Sequence, residues 1–235
     1  MAEPLRLLVM IGVIARLLSG LRHVAVGASS PVPAAAALLA RERAAGRLTV
    51  SILGSAHANP FTDGGRELFD CAAQGRLDAF FLSGAQIDAT GAVNLLGLGR
   101  PDRLERRFLG NFGAPYLAAL VPQVILFRTD HGPKSLVEKV DFVTAPGREG
   151  RWLVTDRALF RRCGGRFVLV SRHPGETLAG LRAATGFAFE VEAAAGTTPP
   201  LDEAAVALLR ERVAPVLRQV YPVFAQTLDA AIGQS

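Results

Sequence analysis

Short apolar runs alternate with amphipathic segments along the first half of the chain. The runs at 23–29, 47–56 and 78–84 are short and rich in Val, Ile, Leu and Phe, as buried strands are. Apolar positions at helical spacing occupy the segments between them, for example 31–46 and 65–77. Strands that alternate with helices predict an α/β fold with an open, mostly parallel sheet flanked by helices.

The second half predicts antiparallel structure and a helical end. Two alternating runs flank Gly164-Gly165, a pair that favours the tight turn of a β-hairpin. The segment 139–147 reads as a short strand. Asp202 or Thr198 is a suitable cap for the C-terminal helix, which prolines then break into pieces. We therefore predict a domain at 1–200 and a helical extension at 201–235 packed on it.

Charge and composition narrow the range of partners. The chain has 235 residues, with 26 Lys and Arg against 21 Asp and Glu, and its pI is near 10.0. Arginine makes up most of the excess and favours anionic ligands. Aromatic residues are only 7% and do not alternate with the cations, so no stacking platform for nucleic acid is predicted. An anionic small molecule is a better match.

Neither the first segment nor the cysteines indicate a membrane or an oxidising compartment. Arg6 and Arg16 interrupt the apolar start, so it is too short to span a bilayer and predicts an amphipathic helix that ends at Gly20. Cys71 and Cys163 lie far apart without a partner motif, so neither a disulfide nor a metal site is predicted. We expect two buried thiols in a cytoplasmic protein.

Polar residues follow the strand at 78–84, in the stretch FLSGAQIDATGAVN (81–94). Ligands of open α/β sheets bind in the crevice outside the carboxyl ends of the strands. These residues are therefore candidates for a binding site, and tight-turn formation is the alternative role for both Gly84 and Asp88.

Several motifs together resemble the beta subunit of class I CoA-transferases such as glutaconate CoA-transferase. They are GAQIDATGAVN (84–94), GNFGAP (110–115), VDFVTAPG (140–147) and WLVTDRALF (152–160). The chain is also similar to the beta subunit of the steroid ring-opening CoA hydrolases, through its HPG at 173–175. The resemblance covers roughly residues 5 to 212.

The resemblance implies a binding site and partners. It implies acyl-CoA thioesters as ligands, with coenzyme A as a substrate moiety and no tightly bound cofactor. It also implies a homologous alpha subunit, in a heterodimer or heterotetramer. The resemblance centres the substrate site on Gly84 and Ala85, with Gln86, Asp88 and Asn94 beside them. The strand-to-helix turn with Gly27 and Ser29 and the glycine-rich loop with Gly110, Asn111 and Gly113 are further candidates for binding an anion, with a helix cap and a plain connection as their alternative roles.

The catalytic glutamate of the transferases is missing. In the family mechanism this carboxylate attacks the thioester and becomes a glutamyl-CoA thioester. The corresponding segment, TVSILGSAHANP (49–60), contains neither Glu nor Asp. A hydroxyl needs a nearby base to act as a nucleophile, so Ser51 or Ser55 with His57 is the remaining candidate. We expect His23, His131 and His173 to lie at the surface.

The missing carboxylate bears directly on the function. We expect a beta subunit that acts on an acyl-CoA by hydrolysis or carbon–carbon cleavage rather than by transfer. Two alternatives stay open: an authentic CoA-transferase subunit, and a noncatalytic partner that keeps the fold for assembly or ligand sensing.

Overall fold

The computed structural model describes residues 3–100, 102–108 and 110–234. The helices are α1 Glu3–Leu17, α2 Pro31–Arg43, α3 Gly64–Ala73, α4 Ala114–Leu120, α5 Leu178–Ala184, α6 Glu203–Leu208, α7 Ala214–Val220 and α8 Pro222–Ile232. The strands are β1 His23–Val26, β2 Thr49–Ile52, β3 Ala79–Leu82, β4 Gln86–Asp88, β5 Val93–Asn94, β6 Gly97–Arg100, β7 Arg103–Arg107, β8 Gln123–Arg128, β9 Leu136–Val137, β10 Trp152–Thr155, β11 Ala158–Cys163, β12 Arg166–Arg172 and β13 Glu190–Thr197. A π-helical turn, Leu209–Val213, joins α6 to α7.

The chain forms two compact units. The first contains the described residues of Met1–Phe81, Val121–Gln123 and Pro199–Ser235. Its strand β1 pairs in parallel with β2 on one side and with β3 on the other. Helix α2 covers these strands with an apolar row from Val32 to Ala40 that is entirely buried. This unit has the strand–helix alternation that the sequence predicts.

The C-terminal helices belong to this first unit. Asp202 caps α6 by accepting a hydrogen bond from the Ala205 N–H at 2.7 Å, and its carboxylate also pairs with Arg43 of α2. Helix α8 packs against α1, and the π-helical turn and α7 pack against α2. Pro222 begins α8, which confirms the predicted break. The boundary predicted at residue 200 stays a prediction. The compact units describe which segments pack together, and this does not test whether residues 1–200 fold as a separate domain.

The second unit contains Leu82–Leu120 and Val124–Thr198. Strand β10 pairs in parallel with β8 and antiparallel with β11, β11 pairs antiparallel with β12, and β12 pairs in parallel with β13. Gly164 and Gly165 have φ of 62° and 82°, which confirms the predicted hairpin between β11 and β12. Two small sheets, β5-β4-β9 and β6-β7, complete the unit.

Two local predictions are wrong. Segment 139–147 is not a strand but forms one isolated bridge, between Ala145 and Val93 of β5. Val140 and Asp141 donate their N–H groups to side chains instead of to a neighbouring strand. Cys163 is exposed rather than buried, because it lies at the hairpin turn. No helix in the described part of the chain is both long and apolar enough to cross a bilayer.

Candidate functional site

The polar side chains of residues 86–94 bond to one another. The Asn94 amide nitrogen donates to Gln86 Oε1 and to the Gly97 carbonyl, each at 2.7 Å. Gln86 Oε1 also accepts from the Asp141 N–H at 3.0 Å. Both side chains are buried. We call residues 86–94 the motif turn, and Gln86 and Asn94 hold its two ends together.

Asp88 forms the centre of the motif turn. Its Oδ1 accepts from the Thr90 hydroxyl at 2.6 Å and from the N–H groups of Thr90 and Ala92 at 2.9 and 3.1 Å. Its Oδ2 accepts from the Val140 N–H at 3.2 Å. The side chain is buried and makes four hydrogen bonds within the chain, so its turn-forming role is plain. Any role in binding CoA stays a prediction.

Gly84 and Ala85 lead from β3 into the motif turn. A Cβ on Gly84 would lie 2.5 Å from Val93 and 2.6 Å from the Asn94 carbonyl oxygen. Glycine is therefore required here by close packing rather than by a positive φ. The Ala85 N–H donates to that same Asn94 oxygen at 2.9 Å, so it is already engaged within the chain.

Arg128 is a candidate functional residue that the sequence does not reveal. It is the last residue of β8, and its Nη1 donates to the Gly84 carbonyl. Its Nη2 forms an ion pair with Asp130. Arginine is frequent in this chain, so only the fold shows that this one reaches Gly84, two residues before the motif turn.

The loop GNFG (110–113) precedes α4. Gly110, Phe112 and Gly113 all have positive φ, at 119°, 42° and 69°. The Asn111 carbonyl accepts from the Ala114 N–H at 2.8 Å, which closes the turn into the helix. The glycines thus meet a backbone requirement. Binding of CoA by Gly110, Asn111 and Gly113 stays a prediction.

The turn between β1 and α2 contains the other predicted ligand residues. The Gly27 carbonyl accepts from the Ser30 N–H at 3.2 Å and from the Tyr221 hydroxyl of the C-terminal region at 3.3 Å. Ser29 is exposed, and the Ser30 hydroxyl makes no cap to α2. The roles of Gly27 and Ser29 in ligand binding stay predictions.

Ser51 forms its hydrogen bond with His23 rather than with His57. The two atoms, Ser51 Oγ and His23 Nε2, are 2.7 Å apart, while His23 Nδ1 lies 3.2 Å from the Arg76 carbonyl oxygen. Because a carbonyl only accepts, Nδ1 carries the proton and Nε2 accepts from the serine hydroxyl. Burial lowers the pKa of His23, which favours this neutral form. Ser51 itself is completely buried.

Ser55 and His57 form a local turn. Ser55 Oγ accepts from the N–H groups of His57 and Ala58 at 3.3 and 2.9 Å, whereas the His57 side chain is exposed. The serine thus bonds to the backbone of this segment. Acyl-transfer chemistry at Ser51, Ser55 or His57 stays a prediction. The Ser51 side chain is shielded from solvent.

The first carboxylates after β2 organise the start of a helix. Glu67 accepts from the N–H groups of Thr62 and Asp63 at 2.5 and 3.1 Å and from the Thr62 hydroxyl at 2.9 Å. These hydrogen bonds hold the pKa of Glu67 below its usual value, and the one from the Asp63 N–H has the largest effect. Asp63 lies 3.7 Å from Arg66. Both carboxylates are therefore engaged at the beginning of α3.

The predicted surface position of the other histidines is wrong. His131 is 8% exposed and His173 is 1% exposed, while His23 is half-buried. His131 bonds to the hydroxyls of Thr155 and Thr185 at 2.9 and 2.8 Å. Burial lowers the pKa of His131 to about 4. These hydroxyls come from residues distant in sequence, so no local pattern marks the histidine as buried.

A cavity of about 700 Å³ opens beside His23 in the first unit. Its walls come from the amino ends of β1 and β2, from α3 and from the residues before that helix, including Phe61 and Cys71. Burial raises the pKa of the Cys71 thiol, so its thiolate form is disfavoured. The described part of the chain contains no cluster of three or more His, Cys, Asp or Glu side chains that could bind a metal ion.

Both units are α/β structures with polar, glycine-containing turns after their strands, as in α/β enzymes and ligand-binding proteins. A family model described as coenzyme A transferase matches residues 14–161, which is more than half of the chain. The chain therefore belongs to the coenzyme A transferase family, as its motifs predict.

Two curated relatives are B subunits of CoA-transferases. The chain is 30% identical over 153 residues to the glutaconate CoA-transferase B subunit of Acidaminococcus fermentans, covering 57% of this chain and 56% of that one. It is 29% identical over 132 residues to the 3-oxoadipate CoA-transferase B subunit of Pseudomonas knackmussii, covering 48% and 50%. The matched part thus spans about half the length of these relatives.

A solved structure of a different activity matches more of the chain. The decarboxylase AibA/AibB has a TM-score of 0.81 and 26% identity, covering 95% of this chain and 98% of that one. The predicted α/β fold, with its mostly parallel sheet, is confirmed. The family fold is thus found both in transferases and in a protein described as a decarboxylase.

Proposed function

We propose that this chain is the B-type subunit of a two-subunit enzyme that hydrolyses an acyl-CoA or cleaves a carbon–carbon bond in it. Transfer of CoA through a glutamyl thioester is excluded from the proposal. The observation that carries it is the segment 49–60, which contains no carboxylate. Of the nearest carboxylates after it, Glu67 organises the start of α3, and Asp63 pairs with Arg66 at the surface.

Family membership and the neighbours support the proposal. The two curated relatives are named as B subunits, which supports a homologous partner subunit for this chain. The AibA/AibB neighbour is a decarboxylase, so a member of this fold need not transfer CoA. The ligand would be an acyl-CoA, with coenzyme A as part of the substrate.

Catalysis on this chain would need a group other than the missing glutamate. Ser51 has a neutral imidazole as its partner, which is the arrangement that activates a hydroxyl, but the hydroxyl is shielded from solvent. We therefore propose that the partner subunit supplies the catalytic base or acid. This chain would then hold the substrate and complete the site.

Co-expression with the adjacent reading frame provides the test. The purified complex is mixed with an acyl-CoA, with and without an acceptor acid such as acetate. Free thiol and the CoA products are both measured, because transfer to acetate forms acetyl-CoA and releases no free thiol. We expect thiol release, or product formation by carbon–carbon cleavage, at a rate independent of acetate. Turnover that requires the acceptor would show a transferase and contradict the proposal.

A noncatalytic role is the second candidate, and one observation favours it. The side chains of Gln86, Asp88 and Asn94 are all engaged inside the chain, so the motif turn supports the fold without any ligand. Calorimetry separates the two candidates. If CoA and its esters bind neither the chain nor its complex, the noncatalytic role replaces the enzyme.

A further inference from the structure

Arg128 has a donor that the chain leaves unused. Its side chain is 18% exposed, and its Nε is buried without a hydrogen-bond partner among the described residues. Its other two nitrogens are engaged, Nη1 by the Gly84 carbonyl and Nη2 by Asp130. A buried donor of a charged group without a partner is costly, so a ligand that accepts from it would bind favourably.

Other arginines of this chain show what Arg128 lacks. A guanidinium binds a carboxylate most strongly through a fork of two N–H groups. Elsewhere in the described residues, Nε and Nη2 donate together to one carboxylate in four pairs, Arg22–Asp78, Arg41–Glu42, Arg100–Asp102 and Arg157–Glu176. Asp130 engages only the Nη2 half of the Arg128 fork.

We propose that Arg128 binds a carboxylate on the acyl group of the CoA thioester, through Nε and Nη2 together. The proposal rests on the proposed function, in that it requires an acyl-CoA ligand. Asp130 occupies one half of the fork when no substrate is bound and gives way to the substrate carboxylate. Its side chain is 64% exposed, so it can turn to solvent at little cost.

The Gly84 contact fixes the guanidinium at the place where a ligand is expected. Arg128 ends β8, and ligands of α/β sheets lie outside the carboxyl ends of such strands. The bond to the Gly84 carbonyl uses Nη1, so Nε and Nη2 are not occupied by it. The two curated relatives are named for glutaconate and 3-oxoadipate, which are dicarboxylates, so a free carboxylate on the acyl group matches their chemistry.

Two other arginines of the second unit have an unused buried Nε, and neither has the same setting. Arg151 donates through Nη1 and Nη2 to the Pro146 and Ala118 carbonyls, which joins two backbone segments. Arg162 lies within the β11–β12 hairpin. Arg128 alone of these three ends a parallel strand.

Two inert probes separate recognition of the carboxylate from recognition of CoA. S-carboxybutyl-CoA and S-pentyl-CoA are thioethers of equal chain length that end in a carboxylate or a methyl group. Their affinities are measured by calorimetry for the full chain, alone and co-purified with the product of the adjacent reading frame. The variants are Arg128→Lys, which keeps the charge but loses the fork, and Asp130→Ala, which frees it. Arg47→Lys, at an exposed arginine just after the turn that follows α2, is the matched control.

We expect Arg128→Lys to weaken S-carboxybutyl-CoA about tenfold or more, as loss of a charge-assisted bond predicts, and to leave S-pentyl-CoA unchanged. Asp130→Ala should tighten the carboxylate probe alone. Equal effects of Arg128→Lys on both probes, or no effect on either, would overturn the proposal. Failure of both probes and of free CoA to bind the wild type would instead contradict the proposed function, and this inference with it.

Discussion

The motif turn and the segment after β2 differ in how they use polar groups. In the motif turn, the Asn94 side chain donates to that of Gln86, and the Asp88 carboxylate accepts from the Thr90 hydroxyl and from neighbouring backbone N–H groups. The segment 53–60 is made mainly of small residues and has no carboxylate. The motif residues thus build the fold, whereas the segment after β2, where the family resemblance predicts the nucleophile, has no carboxylate to serve as one. A motif match of this kind is strong grounds for a fold and weak grounds for a reaction.

The largest expected effect comes from breaking the motif turn at Asp88. Asp88→Ala removes the acceptor of four hydrogen bonds and leaves buried donors unsatisfied. We expect a loss of roughly 3–5 kcal/mol in the free energy of unfolding, measured by urea titration.

Asp88→Asn is the matched control. It keeps one acceptor oxygen in the same shape, so it should cost much less than the alanine variant. If Asp88→Ala unfolds at the same urea concentration as the wild type, the motif turn does not stabilise the fold, and ligand binding would be left as the role of its polar residues.

The next effect is a pH dependence that His131 gives to stability. The pKa of His131 is about 4 in the folded protein, against an ordinary value of 6.5. Between these values the unfolded chain takes up a proton that the folded chain does not. The free energy of unfolding therefore falls as the pH falls through this window, by on the order of 3 kcal/mol for this group.

His131→Gln should flatten the stability profile between pH 6.5 and 4. Urea midpoints measured across this range for the wild type and the variant provide the comparison, and His57→Gln serves as the control at an exposed histidine. A variant whose profile keeps the full wild-type slope would show that another group controls the acid sensitivity.

Much of the fold follows from local patterns in the sequence. The apolar runs mark β1, β2 and β3, the pair Gly164-Gly165 marks the hairpin turn, and Asp202 caps its helix. Each of these depends on residues that are neighbours in the chain. The strand expected at 139–147 is reduced to an isolated bridge between Ala145 and Val93, because the Val140 and Asp141 N–H groups bond to the side chains of Asp88 and Gln86, distant in sequence.

The site was less predictable for the same reason. The pairing of His23 with Ser51 brings together residues from two strands, and the pattern suggested His57 only because it is close in sequence. Arg128 was missed because nothing local distinguishes it from other arginines. Its contact with Gly84 depends on how β8 is placed in the unit.

A smaller effect is expected at Ser51. Ser51→Ala removes the hydrogen bond to His23 but adds no bulk, so we expect a loss of about 1 kcal/mol in the free energy of unfolding. Turnover of an acyl-CoA by the complex should stay within about twofold, a barrier change of about 0.4 kcal/mol, because the proposal places the catalytic base or acid on the partner subunit. A loss of activity by several orders of magnitude, with stability little changed, would make Ser51 the nucleophile.

The smallest effect is expected at His57. Its side chain is exposed, and its hydrogen bond to Ser55 comes from its backbone N–H, so His57→Gln should change neither stability nor turnover measurably. The same thiol-release assay and urea titration report both quantities. A marked fall in turnover would return a serine–histidine mechanism at Ser55 to consideration.

Trapping of a covalent intermediate tests the central claim most directly. The complex is incubated with an acyl-CoA and then with sodium borohydride, which reduces a glutamyl-CoA thioester to an alcohol, and the mass of this chain is measured. Because 49–60 contains no carboxylate, we predict that the mass stays that of the untreated chain. A mass change located on a glutamate of this chain would show that it is a true CoA-transferase subunit and would contradict the account.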